Sequence, residues 1–438
     1  MDQRIEADPN LVRPLQRTTW RFYLLVGILS TIVAIGVAGY VTQLQTGLAV
    51  TGLNDKVSWG LYISNFVFFI GISHAGTLIS AVLRVSGAEW RRPITRMAES
   101  ITVIALVIAA GFPIIDLGRP DRIINILLYG RIESAILWDF VSIFTYLTGS
   151  IIYLSLPMIP DAAILRAKYH LGRFRMFLYK LLAGRWTGSR LQQMGLKKAI
   201  GLMAIIIIPV AVSVHTVVSW IFGMTLRVGW HTAIYGPYFV VGAIFSGIAA
   251  LVVAMAIFRR VYHLEKYLTL NHFRNLGILL LVLDIGIIYF SLSDYLTAAY
   301  GSQTQDVRWL AALSSGPYAV LFWGMFIGGF IVPAILLSLK RTRTIAGIAV
   351  AALLVGVAMW VERFLIVVPS MAAPQVPFDW GIYQATWVEW SITAASIAGF
   401  ALLYAIFSKL FPIVSMWEVA EETAAVAEVA AEAEKVTT

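Results

Sequence analysis

Acidic and basic side chains are concentrated in one stretch of the sequence, which runs from Pro113 to Asp139 and reads PIIDLGRPDRIINILLYGRIESAILWD. It joins two long apolar segments, yet it contains three aspartates, one glutamate and three arginines. Carboxylates in such a position can take up and release protons. Because charged groups are costly at the edge of a membrane interior, so dense a group there needs a reason. The structural alternatives are a surface salt-bridge group and, for Asp139, an N-cap or first-turn carboxylate. We predict that the stretch forms one rim of a redox site.

Three more ionisable residues lie inside apolar segments. His74 follows Trp59 by about 15 residues, or roughly 22 Å along a helix, while His215 lies in VSVHTVVSW and Asp284 near the middle of another segment. An ionisable side chain within a membrane is costly and usually functional. The alternative for His74 is a structural hydrogen bond between helices. For Asp284, a structural acceptor and a proton relay are equally open.

The elements that must position these residues are ten apolar runs. A mean hydropathy of +0.80, with 59% hydrophobic and 13% charged residues, excludes an ordinary soluble protein. Each run is about long enough to cross a bilayer as a helix. We therefore predict an all-α polytopic membrane protein. The runs, numbered 1 to 10, are Phe22–Val41, Trp59–Leu83, Ala98–Ile115, Ile136–Leu156, Ala199–Trp220, Tyr235–Phe258, Leu276–Ala299, Pro317–Leu339, Thr344–Val361 and Trp387–Phe411.

The basic residues predict the orientation of these helices. Of the 33 lysines and arginines, 26 fall on one side of the ten runs and 7 on the other. The positive-inside rule then places both termini in the cytoplasm and the Pro113–Asp139 stretch at the outer surface. Because the charge of +9 follows the loops, it does not indicate nucleic-acid binding. The basic, aromatic-rich stretch Pro157–Lys198 suits anionic lipid instead.

A weak internal repeat suggests two similar halves. Trp59-Gly60-Leu61-Tyr62 opens helix 2, and Tyr235-Gly236-Pro237-Tyr238 opens helix 6 in the same way. This predicts two four-helix bundles, helices 2–5 (about 59–220) and 6–9 (about 235–361), flanked by helices 1 and 10. The membrane domain would span 22–411, between a cytoplasmic segment 1–21 and an acidic Ala/Glu tail at 412–438.

Several kinds of chemistry are excluded. The sequence has no cysteine, so the chain has no thiolate to hold an iron–sulfur cluster. Two histidines inside apolar runs fall short of the four axial ligands of a diheme cytochrome b and leave open only a single heme. What remains suits quinol chemistry, which needs an apolar slot, hydrogen-bond partners and proton acceptors. A proton-coupled transporter would use similar residues, and a purely structural membrane anchor is a third alternative.

Several segments together resemble the polysulfide reductase membrane subunit (NrfD-like) family. The resemblance covers about residues 20 to 417 and is nearest to the ten-helix subunits of alternative complex III and related molybdopterin-type quinone oxidoreductases. It is carried by WGLYISNFVFFIGISHAGTLIS, DLGRPDR, AILWDFVSIFTYL, IPDAAILR, VSVHTVVSWIFGM, GWHTAIYGPYFVVGAIFSGIA and TWVEWSI.

The resemblance implies a subunit of the bacterial cytoplasmic membrane that binds quinone or quinol, either menaquinone or ubiquinone, near the outer face. Such a subunit holds no heme or iron–sulfur cluster and is active only within a respiratory or photosynthetic complex. It exchanges electrons with an extracytoplasmic, ferredoxin-like iron–sulfur subunit. A molybdopterin-like large subunit, a multiheme cytochrome c and a second NrfD-like subunit are further implied partners. Proton translocation would be an additional property.

The resemblance also implies roles for particular residues. Asp116, Asp139 and His215 would hydrogen-bond or deprotonate the quinol, with Tyr62 and Arg119 lining the approach. His74, Asp139 and Asp284 would form a proton path.

Other charged residues receive simpler expectations. Asp121, Arg131 and Glu133 would form the surface on which a partner docks. The Glu362–Arg363 pair and Glu389 are expected at the outer ends of helices 9 and 10, where local pairing explains them.

Overall fold

The structure is a computed structural model that describes residues 9–169, 171–374 and 379–420. These residues form helices and loops without a strand, and ten helices are long and apolar enough to cross a membrane. The prediction of an all-α, multi-pass membrane protein is therefore confirmed. The spanning helices 1 to 10 are Trp20–Thr46, Leu61–Val85, Glu89–Asp116, Ala135–Lys168, Arg190–Gly223, Tyr235–Val261, Leu270–Gly301, Ala319–Ser338, Ile345–Ala372 and Trp387–Leu410. Residues 1–8 and 421–438, parts of the two predicted terminal segments, lie outside the described residues.

Helix 9 continues past its predicted end at Val361 and runs to Ala372. The expectation that Glu362 and Arg363 lie at the end of this helix was wrong, since both are buried inside it. The two side chains do pair, with Arg363 Nη1 3.1 Å from a Glu362 oxygen. Pairing lowers the cost of taking the two charges into an apolar helix, which explains why the helix does not stop there.

The two membrane sides take their names from their loops. We call one side the acidic-loop side because it carries the stretch Pro113–Asp139 with its four carboxylates, including the loop 117–134 between helices 3 and 4. The basic-loop side carries residues 169–189, between helices 4 and 5, which include the short helix Arg173–Ala183. This helix is tied down by Tyr179, whose hydroxyl donates to the Leu410 carbonyl at 2.6 Å.

Helix 2 is the central helix of the protein. In the most apolar 18-residue part of helix 2, 82% of the residues are buried, whereas in helix 1 the corresponding share is 11%. Helix 1 packs beside helix 10 at the edge of the protein. Helix 2 contacts helices 3, 5, 6 and 9. Its contact with helix 6 is close because a Cβ at Gly247 would lie 2.6 Å from the Ala75 nitrogen. Small residues allow this approach of two backbones.

The second half of helix 2 is locally widened. Residues Thr77–Val82 form a π-helical segment that begins three residues after His74. Such segments are rare and frequently occur at functional sites. Here the segment carries two buried hydroxyl residues, Thr77 and Ser80, toward helices 3 and 4.

Candidate functional site

Two predicted site residues meet inside helices 2 to 5. The rings of His74, on helix 2, and His215, on helix 5, lie edge to face with centroids 4.0 Å apart. Both are buried, and neither ring nitrogen of His215 has a hydrogen-bond partner among the described residues. Buried polar atoms are nearly always hydrogen-bonded. The His215 nitrogens are therefore available to a substrate oxygen or an ordered water.

His74 faces a carbonyl oxygen at each of its ring nitrogens. Nε2 lies 2.9 Å from the Ala211 oxygen, and Nδ1 lies 3.2 Å from the Ile70 oxygen. A neutral imidazole has one N–H and can donate to only one of these acceptors, whereas an imidazolium donates to both. The acceptors for a second proton are already in place, which suits a residue that takes up and releases protons.

A line of polar side chains leads from His74 toward the basic-loop side. The ring of Tyr146 is 5.3 Å from that of His74, and its hydroxyl is 2.6 Å from Thr77 Oγ1. One turn further along helix 2, the Ser80 hydroxyl lies 2.5 Å from Glu99 Oε1. We call this set the polar column; its members are His74, Tyr146, Thr77, Ser80, Tyr153 and Glu99.

The polar column ends beneath residues 411–418, which follow helix 10 and are all buried. We call these residues the C-terminal cap. Glu418 of the cap pairs with Arg84 at 2.5 Å and lies 3.8 Å from Arg91. It is also close enough to Glu99 to act on it electrostatically. A group of opposite charges thus closes the column on the basic-loop side.

Asp161, on helix 4, anchors the C-terminal cap. Its carboxylate accepts hydrogen bonds from the backbone N–H groups of Met416 at 3.0 Å and Trp417 at 2.9 Å. The same carboxylate pairs with Arg96 at 2.6 Å, and both side chains are at most 2% exposed. Arg96 also donates to the Ser415 hydroxyl at 3.1 Å. The cap is therefore held by a fully buried ion pair.

Asp116 and Tyr62 lie together on the acidic-loop side. The Tyr62 hydroxyl donates to Gln43 Oε1 at 2.6 Å, and Gln43 Nε2 donates to the Ile115 carbonyl at 2.8 Å. The charges of Asp116 and Glu389 both act on Tyr62. Asp116 Oδ1 is buried and has no partner within the described residues. Helices 1, 2, 3 and 10 supply this group, which we call the Asp116 cluster.

Glu389 lies in the first turn of helix 10 and is locally paired, as expected, since its carboxylate accepts from the Thr386 N–H at 3.0 Å. It also ties distant segments together. Its carboxylate accepts from the Gly52 N–H at 2.6 Å and the Tyr383 hydroxyl at 2.5 Å. That hydroxyl in turn accepts from the Leu61 N–H at the start of helix 2, at 2.9 Å. Burial, and then the charge of Glu389, raise the pKa of Tyr383 well above its ordinary value. Tyr383 therefore stays protonated and remains a donor.

Asp139 stands apart from the other predicted acceptors. It is the fifth residue of helix 4, only 7% exposed, and its Oδ1 has no partner in the described part of the chain. Within that part, no hydrogen bond joins it to Asp116 or His215. Ser134 occupies the N-cap position, so Asp139 does not cap helix 4. A buried carboxyl without a structural partner remains a strong candidate for chemistry.

Arg119 lies on the surface rather than with the buried residues. It pairs with Asp121 at 3.2 Å, and the two side chains are 61% and 60% exposed. The hydrogen bond from Arg119 holds the pKa of Asp121 below its ordinary value.

Helices 6 to 9 hold a second set of buried polar groups. Asp284, singled out from the sequence, is fully buried, and its two oxygens have no partner among the described residues. Nearer the acidic-loop side, the Tyr238 hydroxyl lies 3.0 Å from Ser291 Oγ and close to the Glu362 carboxylate. Asp284 forms no hydrogen bond with His74 or Asp139 in the part of the chain that the structure describes.

Sequence reasoning missed several members of this site. Glu99, Arg96 and Asp161 lie at the ends of predicted runs, where charges are ordinary. The signal that could have revealed them is helical spacing, because Arg96 and Glu99 are three residues apart and share one face of helix 3.

The chain is similar to known membrane proteins over most of its length. The family model described as "Polysulphide reductase, NrfD" matches residues 49–375. The C subunit of the selenate reductase of Mesobacillus selenatarsenatis is 26% identical, over 88% of this chain and 93% of that protein. The Hdr-like menaquinol oxidoreductase integral membrane subunit of Archaeoglobus fulgidus is 23% identical over 81% of each chain.

A third relative comes from Halobacterium salinarum and is named as a candidate for the membrane C subunit of a dimethyl sulfoxide reductase. It is 29% identical over 52% of this chain, and the matched region spans half of that protein's length.

Proposed function

The chain belongs to the NrfD polysulphide reductase family, and from this we propose that it is the quinone-reactive membrane subunit of an oxidoreductase complex. Two relatives are named as C subunits of reductases, and a third as a membrane subunit of a menaquinol oxidoreductase. We propose that the acidic-loop side faces outward and that both termini are cytoplasmic, in agreement with the distribution of basic residues.

The observation that carries the proposal is the buried pair of His74 and His215 at the head of the polar column. A quinol gives up two protons and two electrons when it is oxidised. Its site therefore needs buried groups that can accept protons and are not already hydrogen-bonded to bulk water. Among the described residues, both ring nitrogens of His215 and one carboxylate oxygen each of Asp139 and Asp116 have no hydrogen-bond partner. In this proposal these three residues bind the quinol hydroxyls and accept the protons, while Tyr62 and Arg119 flank the approach.

In this proposal the electrons from the quinol pass to another subunit. The chain has no cysteine for an iron–sulfur cluster. The proposed acceptor is an iron–sulfur subunit docked on the acidic-loop side, where Asp121, Arg131 and Glu133 are exposed. A molybdopterin-type large subunit, a multiheme cytochrome c and a second subunit of this family are proposed as further members of the complex.

The polar column supplies a proposed proton path. The family resemblance implies a path through His74, Asp139 and Asp284, which stays a prediction. The polar column offers a second route, from His74 through Thr77 to Glu99, with hydroxyl groups between them. Such hydroxyls can pass protons to one another, and this would couple quinol chemistry to the basic-loop side.

Replacing Asp139 by Asn tests the site. We expect quinol oxidation by the purified complex to fall by about 100-fold or more, the effect of losing a proton-transfer group, with subunit assembly unchanged. Asp55→Asn is the control, because it removes an exposed carboxylate from a loop on the same side of the membrane, away from the proposed docking surface. Turnover at the wild-type rate in Asp139→Asn would remove this residue from the mechanism. A wild-type complex without any quinol turnover would refute the proposed function itself.

A further inference from the structure

The Glu362–Arg363 ion pair lies within helix 9, where its cost demands an explanation. Both side chains are at most 2% exposed, and the pair is 3.1 Å apart. Two charges inside a membrane helix are expensive even when they are paired, and such residues usually face a pathway for ions or protons. Arg363 Nη2 also has no partner among the described residues. The Nη2 group of Arg363 can therefore donate hydrogen bonds in addition to the ion pair with Glu362.

A notch in helix 6 brings Arg363 toward the histidine pair. A Cβ at Gly242 would lie 2.7 Å from Arg363 Nη2, so the guanidinium occupies the space that glycine leaves open. Helix 6 packs between helix 9 and helix 5, which carries His215. The charge of Arg363 accordingly acts on His215. This notch places a charge of helix 9 within electrostatic range of His215 on helix 5.

A chain of oxygen atoms continues from Glu362 toward the acidic-loop side. The Glu362 carboxylate faces the Tyr238 hydroxyl, which is 3.0 Å from Ser291 Oγ. Asp294 follows Ser291 by three residues and so lies on the same face of helix 7, one turn nearer the membrane surface. Asp294 in turn lies near the Thr232 side chain in the loop beyond.

These groups line a narrow cleft whose cavity volume of about 10 Å³ is room for about one water molecule. The indole N–H of Trp309 is buried in its wall and has no partner among the described residues. Ordered water is the usual partner of such buried polar atoms. The polar residues that line the cleft are Tyr235, Tyr238, Ser291, Asp294, Trp309 and Glu362.

We propose that this cleft is a hydrated proton exit, through which protons taken up at His215 leave to the acidic-loop side by way of Glu362 and Asp294. The proposal rests on the proposed function, in which His215 accepts a proton from the quinol. It assigns the release of that proton to helices 6 to 9 rather than to the quinol site itself.

The steps balance as simple proton transfers. The proton leaves the His215 imidazolium through water and binds the Glu362 carboxylate. It moves along the Tyr238 and Ser291 hydroxyls, each of which gives up one proton as it receives another, and reaches the Asp294 carboxylate. Asp294 then releases it to water and returns to its ionised form. Arg363 keeps its proton throughout, because a guanidinium does not titrate in proteins, and it partners Glu362 whenever that group is ionised.

The test compares three variants in the intact complex, with a short-chain quinol as substrate. Glu362→Gln, Asp294→Asn and Ser291→Ala are each expected to lower kcat by about tenfold or more, with KM unchanged and with a larger solvent deuterium isotope effect. Glu362→Asp should restore part of the rate. Ser291→Ala removes one hydroxyl and no charge, so it reports on the exit even where Glu362→Gln fails to assemble.

Glu265→Gln, at an exposed carboxylate on the basic-loop side, is the control and should match wild type. Wild-type kcat and isotope effect in assembled Asp294→Asn and Ser291→Ala would overturn the proposed exit while leaving quinol oxidation intact. Failure of the proposed function looks different, since the wild-type complex would then show no quinol turnover at all.

Discussion

Asp161→Asn should release the C-terminal cap from the basic-loop side. Asp161 both pairs with buried Arg96 and accepts two backbone N–H groups of the cap. Removing one partner of a buried ion pair costs about 3–5 kcal/mol, because the other charge is left without compensation. Since about 1.4 kcal/mol corresponds to a factor of ten, even the lower figure should raise the population of detached caps by roughly 100-fold.

Cysteine labelling can measure this population. The chain has no cysteine, so Met416→Cys introduces a single thiol into the cap. Met416 is 2% exposed and should react slowly with a charged maleimide while the cap is docked. When opening and closing are fast, the labelling rate follows the open population. We therefore expect the Met416→Cys, Asp161→Asn protein to label about 100 times faster than Met416→Cys alone.

Asp121→Asn in the same Met416→Cys background is the matched control. It also removes a carboxylate from an arginine pair, but both side chains of that pair are at least 60% exposed and such pairs contribute about 0–1 kcal/mol. Its labelling rate should equal that of the parent. If Asp161→Asn also left the rate unchanged, the buried pair would not be what holds the cap. Labelling only from the side proposed as cytoplasmic would in addition support the orientation.

Two further predictions concern stability and are checked by thermal unfolding of the detergent-purified protein. Gly247→Leu should lower the free energy of unfolding by about 1–3 kcal/mol or more, because the new side chain would be driven into the Ala75 backbone. Gly236→Leu, with nothing within 4 Å of its Cβ, is the control and should change it little. Equal unfolding midpoints for the two variants would contradict the close helix contact. Glu389→Gln should lower the free energy of unfolding by about 1–3 kcal/mol, because its amide N–H₂ would face groups that themselves donate hydrogen bonds. Exposed Glu133→Gln is the control and should leave it unchanged. A Glu389→Gln protein as stable as wild type would show that the carboxylate is dispensable.

The ten helices could be predicted because hydropathy and length report directly on the membrane. The end of helix 9 could not, since two adjacent charges that pair with each other look like a helix terminus, whereas here the pair is buried within the helix. Charge adjacent in sequence does not distinguish a solvated end from a buried ion pair. The same applies to Glu389, which accepts a hydrogen bond from Gly52, a residue more than 300 positions away.

The site was predicted only in part, for a related reason. His74, His215 and Asp284 stand out because ionisable groups are rare inside apolar runs. The hydroxyls of Thr77, Ser80 and others do not, since such residues are common in membrane helices. That two distant histidines lie 4.0 Å apart is a property of tertiary packing. No single-sequence pattern contains it.

The glycine contact between helices 2 and 6 also bears on how the protein moves. At Gly247 and Ala75 the two helices touch backbone to backbone, beside His74. Alternating-access carriers work by rocking one half of the molecule against the other, which requires an interface that can separate and re-form. Here such a motion would have to separate a contact between two backbones, in which no side chain can adjust to the change. The contact therefore favours a fixed interface between helices 2 and 6, which agrees with the proposed quinone-reactive subunit better than with a rocking carrier.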